Sequence, residues 1–158
     1  RTWLDPDGFS EANLGKAPIK TPRRAMGNLL GHAVRFGTAR DVMAAGEGIE
    51  TMLSLRQVLP DLAVAPALSA AHLAAILFPP ELRRLYIVRD NDPAGDGARD
   101  SLIDRAGAAG IEAIVLSPAM GDLNEDLRLR GLDAFRASIR VQLAPQDVAR
   151  FMESVLTA

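Results

Sequence analysis

Cysteine is absent from this chain of 158 residues. The sequence therefore offers no disulfide framework, no cysteine-based zinc module and no thiol nucleophile. It also lacks any run of 18 apolar residues, the length that a membrane-spanning helix requires. These absences favour a cytoplasmic protein whose chemistry depends on side chains other than thiols.

Aromatic residues and lysines are also scarce. Aromatics make up 4% of the chain, which leaves little surface for base stacking, so single-strand binding would depend on charge and salt. Lysine occurs only at positions 16 and 20. Phosphatases of the haloacid-dehalogenase type and response-regulator receivers need a lysine near a later strand, so both classes are disfavoured. The two histidines, His32 and His72, lack the paired spacing of a metal site and are expected to be structural or exposed.

Apolar residues make up 48% of the chain, enough for a core within one domain. The net charge of −2 disfavours a generic nucleic-acid binder. Residues 1–40, however, carry seven basic and three acidic side chains, whereas residues 41–158 carry eleven and seventeen. A basic segment beside an acidic site can guide a polyanion, although small imbalances of this kind are common. Because the chain begins with Arg1 instead of methionine, we expect it to be part of a longer protein.

The order of predicted elements indicates the fold. Residues 1–37 contain turn signals and short strand-like runs, whereas strand and helix patterns alternate from residue 41 onward. We predict strands at 42–45, 62–68, 84–90 and 111–117, and helices at 49–59, 70–78, 94–109, 122–130, 133–139 and 145–156. This alternation predicts an α/β protein with a doubly wound parallel sheet and right-handed crossovers.

Acidic residues follow three of the four predicted strands. Glu47 follows the first, Asp90 ends the third and Asp92 lies just beyond it, and Asp122 follows the fourth. Functional groups in such sheets lie beyond the carboxyl ends of the strands. Clustered carboxylates repel one another unless a proton or cation lies between them, and Mg²⁺ or Mn²⁺ prefers such oxygen ligands. The pattern therefore predicts a divalent-cation site for phosphoryl chemistry.

Each of these acids also has a simpler interpretation when it is considered alone. Asp90 or Asp92 can cap the next helix, and Glu47 can benefit from a helix N-terminus. Ser69 has no histidine partner in the pattern and is expected to be a helix cap. The chain has no P-loop, and the run GEGIET resembles a dinucleotide fingerprint only in part, because Thr51 replaces the third glycine.

Taken together, the motifs resemble the Toprim domain shared by bacterial and phage primases, topoisomerases and some nucleases. The matching runs are EGIET from Glu47, DNDPAGDGA from Asp90 and GDLNEDL from Gly121, within residues 41–130. The primase branch is the most similar, and the preceding TPRRAMGNLLGHAVRFG resembles the lead-in of plasmid and phage primases. The resemblance implies a Rossmann-like Toprim fold with a mainly parallel four-stranded sheet flanked by helices and a small β-rich N-terminal extension.

The resemblance also assigns roles to residues. Glu47 is implied as general acid/base and metal contact, Asp90 and Asp92 as catalytic metal ligands, and Asp122 as a further ligand of Mg²⁺ or Mn²⁺. Gly48 would keep the backbone close to the site. Further positions with expected roles are Gly95 as a second close-approach glycine, Glu50 as an additional site residue, and Asp96, Glu125 and Asp126 as helix-terminal charges.

Four arginines are candidates for phosphate or nucleic-acid contact: Arg23, Arg24, Arg35 and Arg89. Solvated surface charge is an equally open interpretation for each of them. Tyr86 lies inside the third predicted strand and is expected to be buried, so this chain alone is not expected to act as a topoisomerase.

The implied function is that of the catalytic domain of a DNA primase-like nucleotidyltransferase, which joins nucleotides on single-stranded DNA with Mg²⁺ or Mn²⁺. Expected partners are single-stranded DNA, nucleotides and helicase or other replication domains of a longer parent protein, with no membrane. We expect a basic extension at 1–40, the Toprim domain at 41–140 and a closing helix at 141–158. A metal-dependent Toprim nuclease and a non-catalytic module that binds nucleic acid or a partner remain open alternatives.

Overall fold

The computed structural model describes residues 3–8, 15–21 and 29–152. From residue 42 strands and helices alternate up to α4, as the sequence predicts, and two more helices follow. In chain order they are β1 (Val42–Gly46), α1 (Ile49–Val58), β2 (Val64–Pro66), α2 (Ala70–Ala74), β3 (Arg84–Val88), α3 (Pro93–Ala108), β4 (Glu112–Leu116), α4 (Leu123–Arg130), α5 (Leu132–Arg140) and α6 (Pro145–Phe151).

The four strands form one parallel sheet in the order β2-β1-β3-β4. Within it, Ala44 of β1 pairs with Val64 of β2 on one side and with Tyr86 of β3 on the other. β2 has only three residues and ends at Pro66, which lacks the N–H that a central strand needs. Proline is tolerated here because β2 is an edge strand. The parallel α/β sheet predicted from the sequence is confirmed.

Helices cover both faces of the sheet. Val42 and Ala44 pack into a core with α1, α4, α5 and α6, while Met43 and Ala45 pack into a second core with α2 and α3. Successive residues of a strand point to opposite faces, and both faces of this sheet are apolar because both are covered. The result is the doubly wound arrangement.

The segment before β1 pairs with the outer edge of β2. Phe36 forms an antiparallel bridge with Val64, and the Val34 N–H donates to the Pro66 carbonyl oxygen at 3.0 Å. A second antiparallel bridge joins Leu4 and Lys16. In the described residues before position 42, the extension therefore contributes bridges instead of longer strands.

Two helix ends show how local and distant contacts set helix length. Ser69 caps α2 as predicted, because its side chain accepts a hydrogen bond from the His72 N–H at 3.2 Å. α2 nevertheless ends at Ala74, four residues before the predicted end. Arg105 of α3 donates to the carbonyl oxygens of Ala74 and Ile76 at 2.7 and 2.9 Å, so these carbonyls have a partner outside the helix.

A buried polar network joins β3 to α6. Tyr86 is fully buried, as expected, and its hydroxyl donates to Asp147 Oδ2 at 2.6 Å and accepts from the Ala144 N–H at 3.0 Å. Arg84 Nη1 donates to the same carboxylate oxygen at 2.9 Å. Burial, together with the hydrogen bond to Asp147, raises the pKa of the Tyr86 hydroxyl. Tyr86 therefore acts as a structural anchor.

None of the helices within the described ranges is both long and apolar enough to cross a bilayer.

Candidate active site

The strand order creates a crevice between the carboxyl ends of β1 and β3. The chain leaves β1 towards β2 on one side and later enters β3 on the other side of β1. At such a switch point the two connections diverge, and ligands of open α/β sheets bind there. Glu47 directly follows β1, and Asp90 follows β3 by two residues. The topology thus brings together two acids that lie 43 positions apart in the sequence.

A cleft of about 560 Å³ lies at this switch point. It combines acidic residues from the ends of three strands with one arginine. Its lining residues are Glu47, Gly48, Glu50, Thr51, Asp90, Asp122, Asn124, Glu125 and Arg128. Three of the four predicted metal ligands therefore share one cleft, and Glu50 joins them as expected. The fourth, Asp92, is exposed and lies outside the lining.

Glu47 is held at the cleft through its backbone. Its carbonyl oxygen accepts a hydrogen bond from the Leu68 N–H at 2.9 Å. Leu68 has a φ of 70°, a left-handed conformation that is uncommon for a residue with a side chain. The turn after β2 therefore adopts a strained backbone to support the end of β1.

Asp90 has the most unusual environment in the cleft. Its Oδ1 atom is buried and has no hydrogen-bond partner. Burial, followed by the negative charges of Glu47, Asp122 and Asp92, raises the pKa of the Asp90 carboxyl group to about 6. A buried carboxylate oxygen without a partner is unfavourable, so this atom is available to a proton or a cation.

Asp92 and Asp122 are both helix N-caps, the alternative to metal binding that a strand-end acid always offers. Asp92 Oδ1 accepts from the Gly95 N–H at 2.7 Å at the start of α3, and Asp122 Oδ1 accepts from the Glu125 N–H at 2.7 Å at the start of α4. In the ranges that the structure covers, no hydrogen bond reaches the second carboxylate oxygen of either residue. The caps fix both carboxylates without using all their acceptor atoms.

The donor set is chemically suited to a hard divalent cation, and the unpartnered Asp90 oxygen points to one. In residues 3–8, 15–21 and 29–152, however, no three acidic or histidine side chains converge closely enough to hold a metal ion as they stand. Carboxylates repel one another when no cation lies between them, and this repulsion favours the wider separation of these side chains. Coordination by Glu47, Asp90, Asp92 and Asp122 therefore stays a prediction.

Gly95 allows α3 to pack closely against the turn at residues 90–92, called the acidic turn below. A Cβ atom at position 95 would lie 2.5 Å from the Asp90 carbonyl oxygen, closer than real Cβ contacts allow. At position 48 it would lie 3.2 Å from Thr51 Oγ1, which is tight but less severe. The need for a close backbone approach, expected for both glycines, is therefore strongest at Gly95.

The loop between β4 and α4 is fastened to the acidic turn. Asn91 donates to the carbonyl oxygens of Gly121 and Met120 at 2.8 and 3.2 Å. Asp126, expected only as a helix-terminal charge, is buried and accepts from the N–H groups of Ala119 and Met120 at 2.8 and 3.0 Å. No local sequence signal identified this role, because it depends on how the loop before α4 folds back onto Asp126.

We expect Asp126→Asn to loosen this loop. Asparagine keeps the shape but offers one acceptor oxygen to two N–H donors, so the fold should lose about 1–3 kcal/mol. Because the loop carries Asp122, cation affinity at the cleft should also fall. Urea unfolding and Mn²⁺ titration measure the two effects, with the exposed Asp133→Asn as the control. Unfolding identical to wild type would show that Asp126 does not hold the loop.

The candidate arginines occupy different places. Arg89 lies beside the acidic turn, where it donates to Asp96 at 2.7 Å and to Asn91 at 2.8 Å. Arg35 donates to the Leu77 carbonyl oxygen at 3.3 Å and lies against Met43 near the amino end of β1, away from the cleft. Arg23 and Arg24 lie outside the described residues.

Arg128 lines the cleft but was not among the predicted site residues. Its sequence signal was the spacing of four from Asn124, another lining residue on the same helix. A run of charged residues obscured that signal, because Arg128 shares the last turn of α4 with Arg130.

Two solved structures are similar to this chain. In fold the chain is similar to a DNA primase domain from Pseudomonas aeruginosa, with 24% identity, a TM-score of 0.47 and coverage of 75% of this chain and 38% of that one. A crystal structure of the Aquifex aeolicus primase, containing its zinc-binding and RNA polymerase domains, gives 21% identity, a TM-score of 0.49 and coverage of 73% and 30%. The chain thus spans about a third of the length of these structures.

No curated protein matches the sequence. Residues 42–133, more than half of the chain, match the Toprim domain family and include every element from β1 to α4. The chain belongs to the Toprim domain family.

Proposed function

We propose that this chain is the catalytic domain of a DNA primase-like protein, which joins nucleotides on single-stranded DNA with the help of Mg²⁺ or Mn²⁺. The observation that carries the proposal is the buried, unpartnered Oδ1 atom of Asp90 in a cleft shared with Glu47 and Asp122. Membership of the Toprim family and the position at the switch point of the sheet support it.

The residues divide the chemistry between them. Glu47, Asp90 and Asp122 would hold the cation, with Asp92 at the edge of the site. A divalent cation, when bound, stabilises the negative charge that develops on the attacking and leaving oxygens of phosphoryl transfer. Glu47, which lines the cleft directly after β1, would act as general base towards the attacking hydroxyl group.

The rest of the chain supports this site. In this proposal residues 41–140 are the catalytic domain and residues 1–40 the basic extension, while the described part of the closing segment contains α6 (Pro145–Phe151). The proposed partners are single-stranded DNA, nucleotides and helicase or other replication domains of a longer parent protein. Nucleic-acid contacts by Arg23 and Arg24 remain predictions of the sequence.

The test supplies the chain with Mn²⁺ or Mg²⁺, single-stranded DNA and labelled ribonucleotides. We expect labelled products that lengthen with time and that disappear when the cation is chelated. Glu47→Gln should lower the rate by about 100-fold, because loss of a general base has about this effect. The exposed Asp104→Asn on α3 removes the same charge away from the cleft and should leave the rate unchanged.

Other outcomes would assign a different function to the same domain. Shortened DNA without ribonucleotide incorporation would indicate a Toprim nuclease that uses the same acids for hydrolysis. Binding of nucleic acid with no chemical change, equal in wild type and Glu47→Gln, would indicate a non-catalytic binding module.

A further inference from the structure

We propose that Arg128 binds a phosphate group of the nucleotide that enters the acidic cleft. This inference rests on the proposed function, because it takes a nucleoside triphosphate as the substrate. It adds a cationic binding residue to a site that the sequence describes only through its acids.

The position of Arg128 is the first observation. Asp122 caps α4, which carries Asn124 and Arg128 about one turn apart, and all three residues line the same cavity as Glu47 and Asp90. Residues four apart lie on one face of a helix. The helix therefore presents a carboxylate, an amide and a guanidinium to the same space.

The lack of a protein partner is the second observation. In the described part of the chain, the Arg128 guanidinium forms no ion pair and no hydrogen bond, although acidic residues line the cleft with it. Neighbouring arginines differ: Arg89 is bonded to Asp96 and Asn91, and Arg130 lies 4.0 Å from the buried Asp126.

A general helix-end effect accounts for a cation in this turn, but not for its position on the cleft side of α4. Cations near a helix C-terminus stabilise it, and both Arg128 and Arg130 lie in the last turn of α4. That effect needs only proximity to the helix end and would be served equally by a side chain that faced solvent. Arg128 is exposed and also borders the cleft, where its charge is available to an anionic ligand.

A positively charged side chain in the cleft would help to bind a triphosphate. A triphosphate carries several negative charges, and the carboxylates of Glu47, Asp90 and Asp122 would repel it. A guanidinium group offers a planar pair of N–H donors that matches two phosphate oxygens. Arg128 would offset part of the repulsion and orient the phosphates against the acidic side of the site.

The experiment measures binding of ATP to the whole chain at saturating Mn²⁺, and binding of Mn²⁺ alone by electron spin resonance. Arg128→Ala should weaken ATP binding by about ten- to hundredfold, because a hydrogen bond to a charged group has this value. Arg128→Lys should restore part of the affinity. The matched control is Arg83→Ala, since Arg83 is exposed and precedes β3 at the opposite edge of the sheet. Mn²⁺ binding should be preserved in all three variants.

The outcomes separate this inference from the proposed function. Absence of Mn²⁺ binding in wild type would overturn the proposed function itself. Equal ATP affinity in wild type and Arg128→Ala, with Mn²⁺ bound in both, would overturn only the assignment of Arg128. If Arg128→Ala weakened binding of a single-stranded oligonucleotide and left ATP binding intact, the phosphate would belong to the nucleic-acid backbone and the nucleotide assignment would be wrong.

Discussion

The Asp90→Asn variant is expected to lose cation-dependent activity by about 1000-fold or more and, at the same time, to unfold at a higher urea concentration at neutral pH. The loss follows because a bound cation contributes several kcal/mol of charge stabilisation in phosphoryl transfer, and asparagine removes the carboxylate whose Oδ1 lacks a partner. The variant should gain folding stability because it no longer buries a negative charge among other acids.

The stability advantage of Asp90→Asn over wild type should increase as the pH rises. The pKa of Asp90 is about 6 in the folded protein and 3.8 in an ordinary aspartate. Below pH 3.8 the carboxyl group is protonated in both states and costs nothing. As the pH rises through 6, the fold must hold the charged form, so wild-type stability falls by about 1–2 kcal/mol after allowance for partial exposure. Asparagine undergoes no such change.

Urea unfolding at pH 4 and pH 7.5 measures this difference. We expect the two proteins to differ little at pH 4 and the variant to be the more stable at pH 7.5. Added Mn²⁺ should stabilise wild type alone, because only wild type binds it in the cleft. Asp104→Asn on α3 is the charge-matched control. If the variant were less stable than wild type at pH 7.5, contacts within the protein would stabilise the Asp90 carboxylate, and the expectation that it lacks a partner would be wrong.

The Asp147→Ala variant is expected to lose about 3–5 kcal/mol of folding free energy. Asp147 is buried and accepts hydrogen bonds from Arg84 at 2.9 Å and from the hydroxyl of Tyr86 at 2.6 Å. Asp147→Ala leaves the buried Tyr86 hydroxyl without its acceptor and leaves Arg84 with only the more exposed Glu112, so the cost should approach that of breaking a buried ion pair. Such a loss is a large fraction of the stability of a typical domain, about 5–15 kcal/mol.

Two further variants divide this network into its parts. Glu112→Gln removes the other acid that Arg84 binds, but Glu112 is 55% exposed, so the change should stay below about 1 kcal/mol. Tyr86→Phe should cost about 1–2 kcal/mol, because it leaves the Ala144 N–H and the Asp147 oxygen each one hydrogen bond short. If Asp147→Ala cost no more than Glu112→Gln, the buried pair would not be a main support of the fold.

Cation binding should survive these changes wherever the variant still folds. Arg84 begins β3, whereas Asp90 lies beyond the other end of that strand. The network and the cleft therefore occupy opposite edges of the sheet. Mn²⁺ titration of Tyr86→Phe, the mildest variant, checks this independence.

Much of the fold was predictable from sequence because the signals are local. The apolar runs of β1 and β3, the cap at Ser69 and the start of α6 at Pro145 depend on residues within one turn or one strand of each other. The position of the acids at strand ends was also predictable, since it depends only on element order. The family resemblance added an implied role for each acid and did not depend on strand order.

Tertiary structure decided the features that depend on residues far apart in the chain. The order β2-β1-β3-β4 places Glu47 beside Asp90, and no local pattern encodes that order. The early end of α2 depends on Arg105 of another helix. Burial of one Asp90 oxygen is likewise a feature of the folded chain that no local pattern encodes.

The sequence by itself determined which residue types stand at the strand ends and that they suit a divalent cation and a phosphate. Only the tertiary structure decided which of them share the cleft. It left Asp92 outside the lining, buried Asp126 to hold a loop, and placed Arg128 in the lining of the acidic cleft. The physical reason is that a side chain's charge and shape are fixed by its identity, whereas its solvation and its neighbours are set by long-range packing.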